Sequence, residues 1–192
     1  MEVTHANHDD VPLSPTETVR RVREYRLASR IELLRPYLLP EQQSGVIELI
    51  QSTDRLVWAN AVLQTAIVKR FGRATARAFD RSGVANAIGV FSRDVDLIDE
   101  RIDGARATVA IQVDGRVPLD EVMLVREGDR WLIQTDPPIP GLAKELRNLA
   151  QALIDTAQML DDRKMSIEEL RRELTAREAA IGRRIEAMTE GP

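Results

Sequence analysis

The sequence contains no cysteine, and its two histidines, His5 and His8, both stand near the N-terminus. The absence of cysteine excludes disulfides, thiolate metal sites and cysteine nucleophiles. Since no histidine follows His8, the rest of the chain lacks the commonest general base of enzymes. We therefore predict no catalytic residue, no metal site and no cofactor.

Aromatic residues and long apolar runs are also scarce. Two Trp, two Tyr and three Phe among 192 residues are too few for a base-stacking surface, so nucleic acid is not an expected partner. No apolar run approaches the roughly 20 residues of a transmembrane helix. Residues 1–11 lack the apolar segment of a secretory signal. We expect a cytoplasmic protein; the alternative is an exported protein whose signal peptide is absent from this sequence.

Charged residues are abundant, at 30% of the chain, and unevenly distributed. Residues 13–93 carry thirteen basic and seven acidic groups, whereas residues 94–139 carry five basic and eleven acidic groups. Opposite signs favour packing of the two segments on each other, or head-to-tail self-contact. A row of arginines at helical spacing is a candidate anion-contacting surface, and the alternatives are a solvated helix face or contact with the acidic sheet half: Arg70, Arg73, Arg77 and Arg81.

The first half of the chain has the periodicity of helices. Ser14-Pro15-Thr16-Glu17 combines a capping box with proline at the first helical position, which predicts a helix start. Apolar spacing predicts further helices over residues 31–38, 41–80 and 84–91. The middle one is expected to break near Ser52-Thr53, where either hydroxyl can cap the second piece.

Beyond residue 93 the period changes to that of strands. Four strands are predicted, over residues 94–102, 105–113, 117–125 and 130–135. Links such as Asp103-Gly104 supply the positive φ of tight hairpin turns, so we expect an antiparallel meander. Asp94, Asp96 and Glu100 are predicted to share one face of the first strand. That face is either a site for a hard cation or an acidic edge that blocks further strand pairing.

A heptad repeat dominates the C-terminal part of the chain. After a proline-rich break at 136–141, apolar residues recur every seven positions from Leu146 to Met188. Such a repeat keeps one stripe of a helix against a neighbouring helix. The unbroken register favours one long helix, with a hairpin bend at 161–164 as the alternative. The candidate helix–helix interface consists of Leu146, Leu149, Leu153, Leu160, Ile167, Leu170, Leu174 and Ile181.

The seam of this repeat is expected to be strong near Leu149 and thin towards the C-terminus, where Arg177 and Arg184 occupy d positions. Leu149→Ala is therefore expected to lower stability sharply. Ile181→Ala is expected mainly to weaken association with a second chain, because an isolated helix of this kind is marginal in water.

These elements define an α+β fold, in which N-terminal helices pack on a four-stranded antiparallel meander. A long C-terminal heptad-bearing helix or helical hairpin follows. The predicted organisation is a disordered tail over 1–12, an α+β domain over 13–136 and a helical or coiled-coil extension over 141–190.

Residues 14–136 resemble the nuclear-transport-factor-2-like superfamily. The resemblance rests on Asp-Gly-Ala-Arg-Ala-Thr-Val-Ala-Ile at 103–111 and on Leu-Val-Arg-Glu-Gly-Asp-Arg-Trp-Leu-Ile at 124–133. It implies an α+β cone whose curved sheet wraps a helix, with a pocket at the open end or a dimerising sheet face. Tyr25 and Trp58 are then the candidate pocket residues; the alternative for both is plain core packing.

We hypothesise a non-enzymatic interaction or assembly protein that self-associates, or binds a helical partner, through the sheet or the C-terminal helix. The alternative is a small-molecule-binding domain, or an isomerase- or dehydratase-like enzyme of the same superfamily. A deep pocket that encloses a buried carboxylate favours the alternative. An anion- or nucleic-acid-binding module on the arginine row ranks last, because the net charge is −4.

Overall fold

A computed structural model describes residues 12–162 and 165–189 and has the predicted α+β fold. The predicted tail, with His5 and His8, lies outside the described residues except for residue 12. The chain forms two compact units. The sheet unit comprises the residues up to Pro40 together with Arg93–Thr135, and the helical unit comprises Glu41–Ser92 together with the residues from Asp136 onward.

The sheet unit begins with helix α1, Pro15–Leu27, where the sequence predicts it. The backbone N–H of Glu17 donates to Ser14 Oγ (3.2 Å), and the N–H of Ser14 donates to the Glu17 carboxylate (2.8 Å). These two bonds, which complete the predicted capping box, lower the pKa of the Glu17 carboxyl. The helix predicted over 31–38 is a 3-10 helix, Ile31–Tyr37.

The four strands are β1 (Val95–Asp103), β2 (Arg106–Val113), β3 (Asp120–Glu127) and β4 (Arg130–Gln134). They are antiparallel neighbours in the order β1-β2-β3-β4, so the predicted meander is confirmed. Gly104, in the turn between β1 and β2, has a φ of +60°, as the Asp-Gly pair predicts. Helix α1 contacts β1, β2 and β4.

A β-bulge in β1 changes which side chains share a face. Leu97 pairs with Ile111, but the next pair is Asp99 with Ala110, so Ile98 is an extra residue. A bulge of one residue exchanges the two faces of the strand beyond it. The prediction that Glu100 shares a face with Asp94 and Asp96 is therefore wrong.

The bulge gives Glu100 a structural partner. Glu100 now pairs with Val109, which is fully buried, and so lies on the side of the sheet core. Its carboxylate accepts a bond of 2.7 Å from the N–H of Thr16 in the first turn of α1. A negative charge at a helix N-terminus satisfies an orphan donor and complements the helix dipole.

The helical unit contains α2 (Gln43–Phe71), α3 (Arg73–Arg77), α4 (Leu142–Asp162) and α5 (Ile167–Thr189). Two 3-10 helices, Ser82–Asn86 and Gly89–Phe91, replace the helix predicted over 84–91. The break predicted near Ser52-Thr53 is wrong, because α2 runs through both residues and buries both side chains. Packing against α4 overrides their local preference for a cap.

The helix predicted over 41–80 ends early, at Gly72. This glycine has a φ of +87°, a conformation that ends a helix and that residues with a Cβ rarely adopt. Arg70 therefore lies in α2, Arg73 and Arg77 lie in the short α3, and Arg81 lies beyond both helices. The predicted row of arginines is not one continuous helix face.

The C-terminal segment forms two helices, so the single long helix favoured by the heptad register is wrong and the hairpin alternative is correct. The cause is a second capping box. The N–H of Ser166 donates to the Glu169 carboxylate (2.7 Å), and the N–H of Glu169 donates to Ser166 Oγ (3.2 Å). This box starts α5 afresh, shortly after the end of α4.

Ser166→Ala is expected to lower the free energy of unfolding by about 1 kcal/mol, because it removes the side-chain cap of α5. Urea denaturation followed by circular dichroism measures the change. Ser44→Ala is the matched control, since Ser44 is an exposed serine inside the first turn of α2. Equal effects of the two substitutions would show that the cap contributes nothing.

The predicted domain over 13–136 and extension over 141–190 do not coincide with the two compact units. The chain divides at other positions because α2, inside the predicted domain, packs along α4, inside the predicted extension. The independent folding of residues 13–136 stays a prediction.

Candidate helix–helix interface

The predicted interface residues all lie in the packed interior or at its margin. Leu153, Leu160, Leu170 and Leu174 belong to one core cluster. Leu146, Leu149 and Ile167 are half-buried and pack against that cluster. Ile181, seven residues beyond Leu174, is 5% exposed.

A helix that sequence reasoning left out completes this interface. The same cluster contains Leu56, Leu63 and Ile67 of α2. Leu56 and Leu63 are seven residues apart, and Leu63 and Ile67 are four residues apart. This helical spacing could have indicated that α2 packs against the heptad segment. The apolar stripe of α4 and α5 is thus filled within one chain. Ile181 is also buried within the chain, at 5% exposed, so Ile181→Ala is expected to lower stability as well; its effect on association stays a prediction.

The arginines at d positions pair with carboxylates of α4. Arg184 Nε donates to the Glu145 carboxylate at 2.8 Å, across 39 residues of sequence. The Glu145 side chain is only 5% exposed and also accepts a bond of 3.1 Å from Asn148 Nδ2. The Asn148 bond, and then the Arg184 bond, lower the pKa of the Glu145 carboxyl.

Arg177 makes the second polar link of the hairpin. Its guanidinium lies 2.6 Å from the Glu173 carboxylate on α5 and 3.6 Å from the Asp155 carboxylate on α4. The two arginines pair with α4 in reverse order along the chain, Arg184 with Glu145 and Arg177 with Asp155. The helices of the hairpin are therefore antiparallel.

Arg70 has a structural partner at the end of α4. Its guanidinium donates to the backbone carbonyl of Leu160 at 2.7 Å, in the last turn of that helix. The carbonyls of a last turn have no partner within the helix, and cations there complement the helix dipole. Lys69 adds an ion pair of 2.9 Å with Asp161.

Arg81 also has structural partners. Its guanidinium donates two bonds, of 3.0 and 3.2 Å, to the two carboxylate oxygens of Glu178 on α5. Asn60, which is 4% exposed, accepts from the Arg81 N–H (3.0 Å) and donates to Asp80 (2.9 Å). The Asn60 bond is the main cause of a lowered pKa of Asp80. Of the four predicted anion-contacting arginines, Arg73, Arg77 and Arg81 are exposed, and Arg70 is half-buried.

The two candidate pocket residues lie in different units. In the sheet unit, the ring of Tyr25 lies 6.0 Å from the ring of Tyr37. In the helical unit, Trp58 is 55% exposed on α2. A cavity of about 210 Å³ in the helical unit is lined by Gly45, Glu48, Leu49 and residues 138–144, and includes neither aromatic residue. The Glu48 side chain there is 54% exposed and pairs with Arg147 at 2.8 Å.

The candidate acidic residues of the sheet unit are open to water. Asp94, Asp96 and Glu121 are all exposed. Over residues 12–162 and 165–189, no three His, Asp or Glu side chains come together in a group that could hold a metal ion.

Helix α5 exposes the side that faces away from the hairpin. A shallow, wide-open groove lies along it, lined only by residues of α5 itself: Glu168, Arg171, Arg172, Thr175, Ala176 and Ala179. These residues and Arg183 are all exposed, and we refer to the seven together as the α5 outer face. The sequence does not mark this surface clearly, because the apolar heptad on the buried side of the same helix dominates the pattern.

Comparison with known proteins gives no match to a family model, a curated protein or a solved structure. Within the described parts of the chain, none of the helices combines the length and the hydropathy needed to cross a membrane.

Proposed function

We propose that this protein is a non-enzymatic assembly protein that self-associates through its C-terminal hairpin. The observation that carries the proposal is the α5 outer face. One side of α5 buries Leu170, Leu174 and Ile181, while the opposite side presents an open groove. The C-terminal half of that groove has only small side chains, Thr175, Ala176 and Ala179. Small side chains let the axis of a second helix approach closely.

The ionisation of the carboxylates supports a non-enzymatic role. Glu145 is the buried carboxylate among residues 12–162 and 165–189, and its pKa is lowered. A carboxyl that acts as a general acid near neutral pH needs a raised pKa instead. Asp94, Asp96 and Glu121 are exposed and do not line an enclosed site.

The second candidate is small-molecule binding, and the cavity beside the start of α4 is the observation that favours it. Its volume of about 210 Å³ is below the roughly 300–1,000 Å³ of ordinary ligand pockets. Its carboxylate, Glu48, is half-exposed and already paired with Arg147. Self-association is therefore the better-supported proposal.

The resemblance to the nuclear-transport-factor-2-like superfamily also remains a proposal. It is supported by the sheet unit alone, in which α1 lies against a four-stranded antiparallel meander. The resemblance implies either a pocket or a dimerising sheet face. A dimerising sheet face is compatible with an assembly role.

Sedimentation equilibrium on the full chain tests self-association, which we expect to be concentration-dependent and reversible. Ala176→Glu, which places a charged side chain in the C-terminal half of the groove, is expected to shift the chain towards monomer. Gln158→Glu, at an exposed position of α4, is the matched control and is expected to have no effect. A wild-type chain that stays monomeric at millimolar concentration would overturn the proposal.

A further inference from the structure

Four residues of the α5 outer face occupy a narrow sector of the helix. At about 100° per residue, Glu168, Arg172, Ala179 and Arg183 fall within about 60° of one another. Leu170, Leu174 and Ile181 lie on the opposite side and are buried. The contacts between α4 and α5 therefore do not cover this sector, which stays exposed and can contact another molecule.

Glu168 and Arg183 stand at the two ends of this sector, with Arg171 and Arg172 between them. Glu168 and Arg183 are fifteen residues apart, or about 22 Å along the axis. Thr175 and Ala176 lie midway between them. An acidic residue at one end and a basic residue at the other make the face complementary to an inverted copy of itself.

We propose that a second copy of this chain docks on the α5 outer face in antiparallel orientation, with Thr175 and Ala176 at the two-fold axis. This inference rests on the self-association proposed above and specifies its geometry. Because the arrangement is isologous, each contact occurs twice. Glu168 of each copy faces Arg183 of the other, and Arg172 faces Ala179, where the small side chain leaves room for the guanidinium.

Charge complementarity selects this orientation and register over the alternatives. A parallel arrangement places Glu168 against Glu168, Arg172 against Arg172 and Arg183 against Arg183, so every charged contact is repulsive. An antiparallel arrangement shifted by four residues in one direction places Arg172 against Arg183, which is again a like-charge contact. Shifted by four residues in the other direction, it places Glu168 against Ala179 and loses both Glu168–Arg183 pairs. Juxtaposed like charges oppose association and fix the register of an interface.

The test uses two single charge reversals, Glu168→Arg and Arg183→Glu, whose dimerisation is measured by sedimentation equilibrium. Each variant alone brings two pairs of like charges together, and we expect its dimer Kd to rise by about tenfold or more. Both side chains are exposed, so circular dichroism spectra and Tm are expected to match the wild type. Glu41→Arg and Arg73→Glu, reversals at other exposed positions of the helical unit, are the matched controls.

An equimolar mixture of the two variants provides the decisive measurement. In the proposed antiparallel mixed dimer, the new arginine of the Glu168→Arg chain faces the new glutamate of the Arg183→Glu chain. The unaltered Arg183 of the first chain likewise faces the unaltered Glu168 of the second. Mixing is therefore expected to restore association to within about threefold of the wild type. The double variant Glu168→Arg/Arg183→Glu is expected to associate on its own.

The outcomes separate this inference from the proposed function. If the wild-type chain associates but neither reversal weakens it, or if mixing restores nothing, the antiparallel α5 contact is wrong while self-association stands. If the wild-type chain is monomeric, both proposals are wrong.

Discussion

Leu153→Ala is expected to lower the free energy of unfolding by about 2–5 kcal/mol, the largest effect of the substitutions considered for this chain. Leu153 is 1% exposed and lies in the cluster that joins α2, α4 and α5. Truncation removes its apolar contacts and leaves a cavity between helices that are held by the rest of the chain. Urea denaturation followed by circular dichroism measures the loss.

Leu27→Ala is the matched control for this measurement. Leu27 is 54% exposed at the end of α1, so its truncation is expected to change stability by no more than about 0.5 kcal/mol. Leu149→Ala is expected to fall between the two, because Leu149 is half-buried at the margin of the cluster. A loss for Leu153→Ala as small as that for Leu27→Ala would mean that the three helices do not share a core.

Arg184→Ala is expected to lower the free energy of unfolding by about 1–3 kcal/mol at pH 7, because it leaves the buried Glu145 carboxylate with one partner fewer. Asn148 still donates to that carboxylate, which limits the loss. Arg73→Ala removes an exposed arginine of the same unit and is expected to change stability little. Both variants are measured by urea denaturation.

The effect of Arg184→Ala is expected to depend on pH. In the folded chain the pKa of Glu145 lies below its ordinary value of 4.5, so the unfolded chain binds more protons in this range. The stabilisation by the ionised carboxylate is therefore fully present above pH 4.5 and is lost as the pH falls through the lowered pKa. The difference between wild type and Arg184→Ala is expected to shrink over the same range.

A double-mutant cycle isolates this pair. In a Glu145→Gln background, Arg184→Ala is expected to lose most of its effect and its pH dependence, since no ionised carboxylate is left to stabilise. A loss of stability that stays constant from pH 7 down through the lowered pKa of Glu145 would show that Arg184 acts through packing of its side-chain stem instead.

The elements of the sheet unit could be predicted from sequence because their signals are local. The Ser14–Glu17 capping box marks the start of α1, and Asp-Gly pairs mark turns such as the one at Gly104. The bulge at Ile98 was not predicted, although the adjacent apolar residues Leu97 and Ile98 interrupt the alternation of the strand at that point.

The partner of the heptad stripe could not be predicted either. A repeat of seven shows that a helix face is buried, but it does not say which helix covers it or whether that helix belongs to the same chain. The covering helix is α2, and its own apolar spacing, in residues such as Leu56 and Leu63, is the sequence feature that indicates this. From the sequence alone, Arg177 and Arg184 indicate a thin seam. An arginine at a seam position is favourable, however, when it forms an ion pair with a carboxylate of the facing helix, as with Asp155 and Glu145.

The prediction that the four arginines share one continuous helix face is wrong for a different reason. Their spacing is regular in sequence, but Gly72 ends the helix after Phe71 and removes the geometry that the spacing assumes. Local contacts then decide the role of each arginine: Arg70 completes the end of α4, and Arg81 anchors α5 through Glu178.

The interleaving of the two units affects how this chain can be divided and recombined. The chain passes from one unit to the other three times, at 40–41, 92–93 and 135–136. Any single breakpoint in the gene therefore splits at least one unit, and a chain that stops at 138 leaves the apolar side of α2 without α4. Neither unit can therefore be moved into another protein as a single contiguous segment.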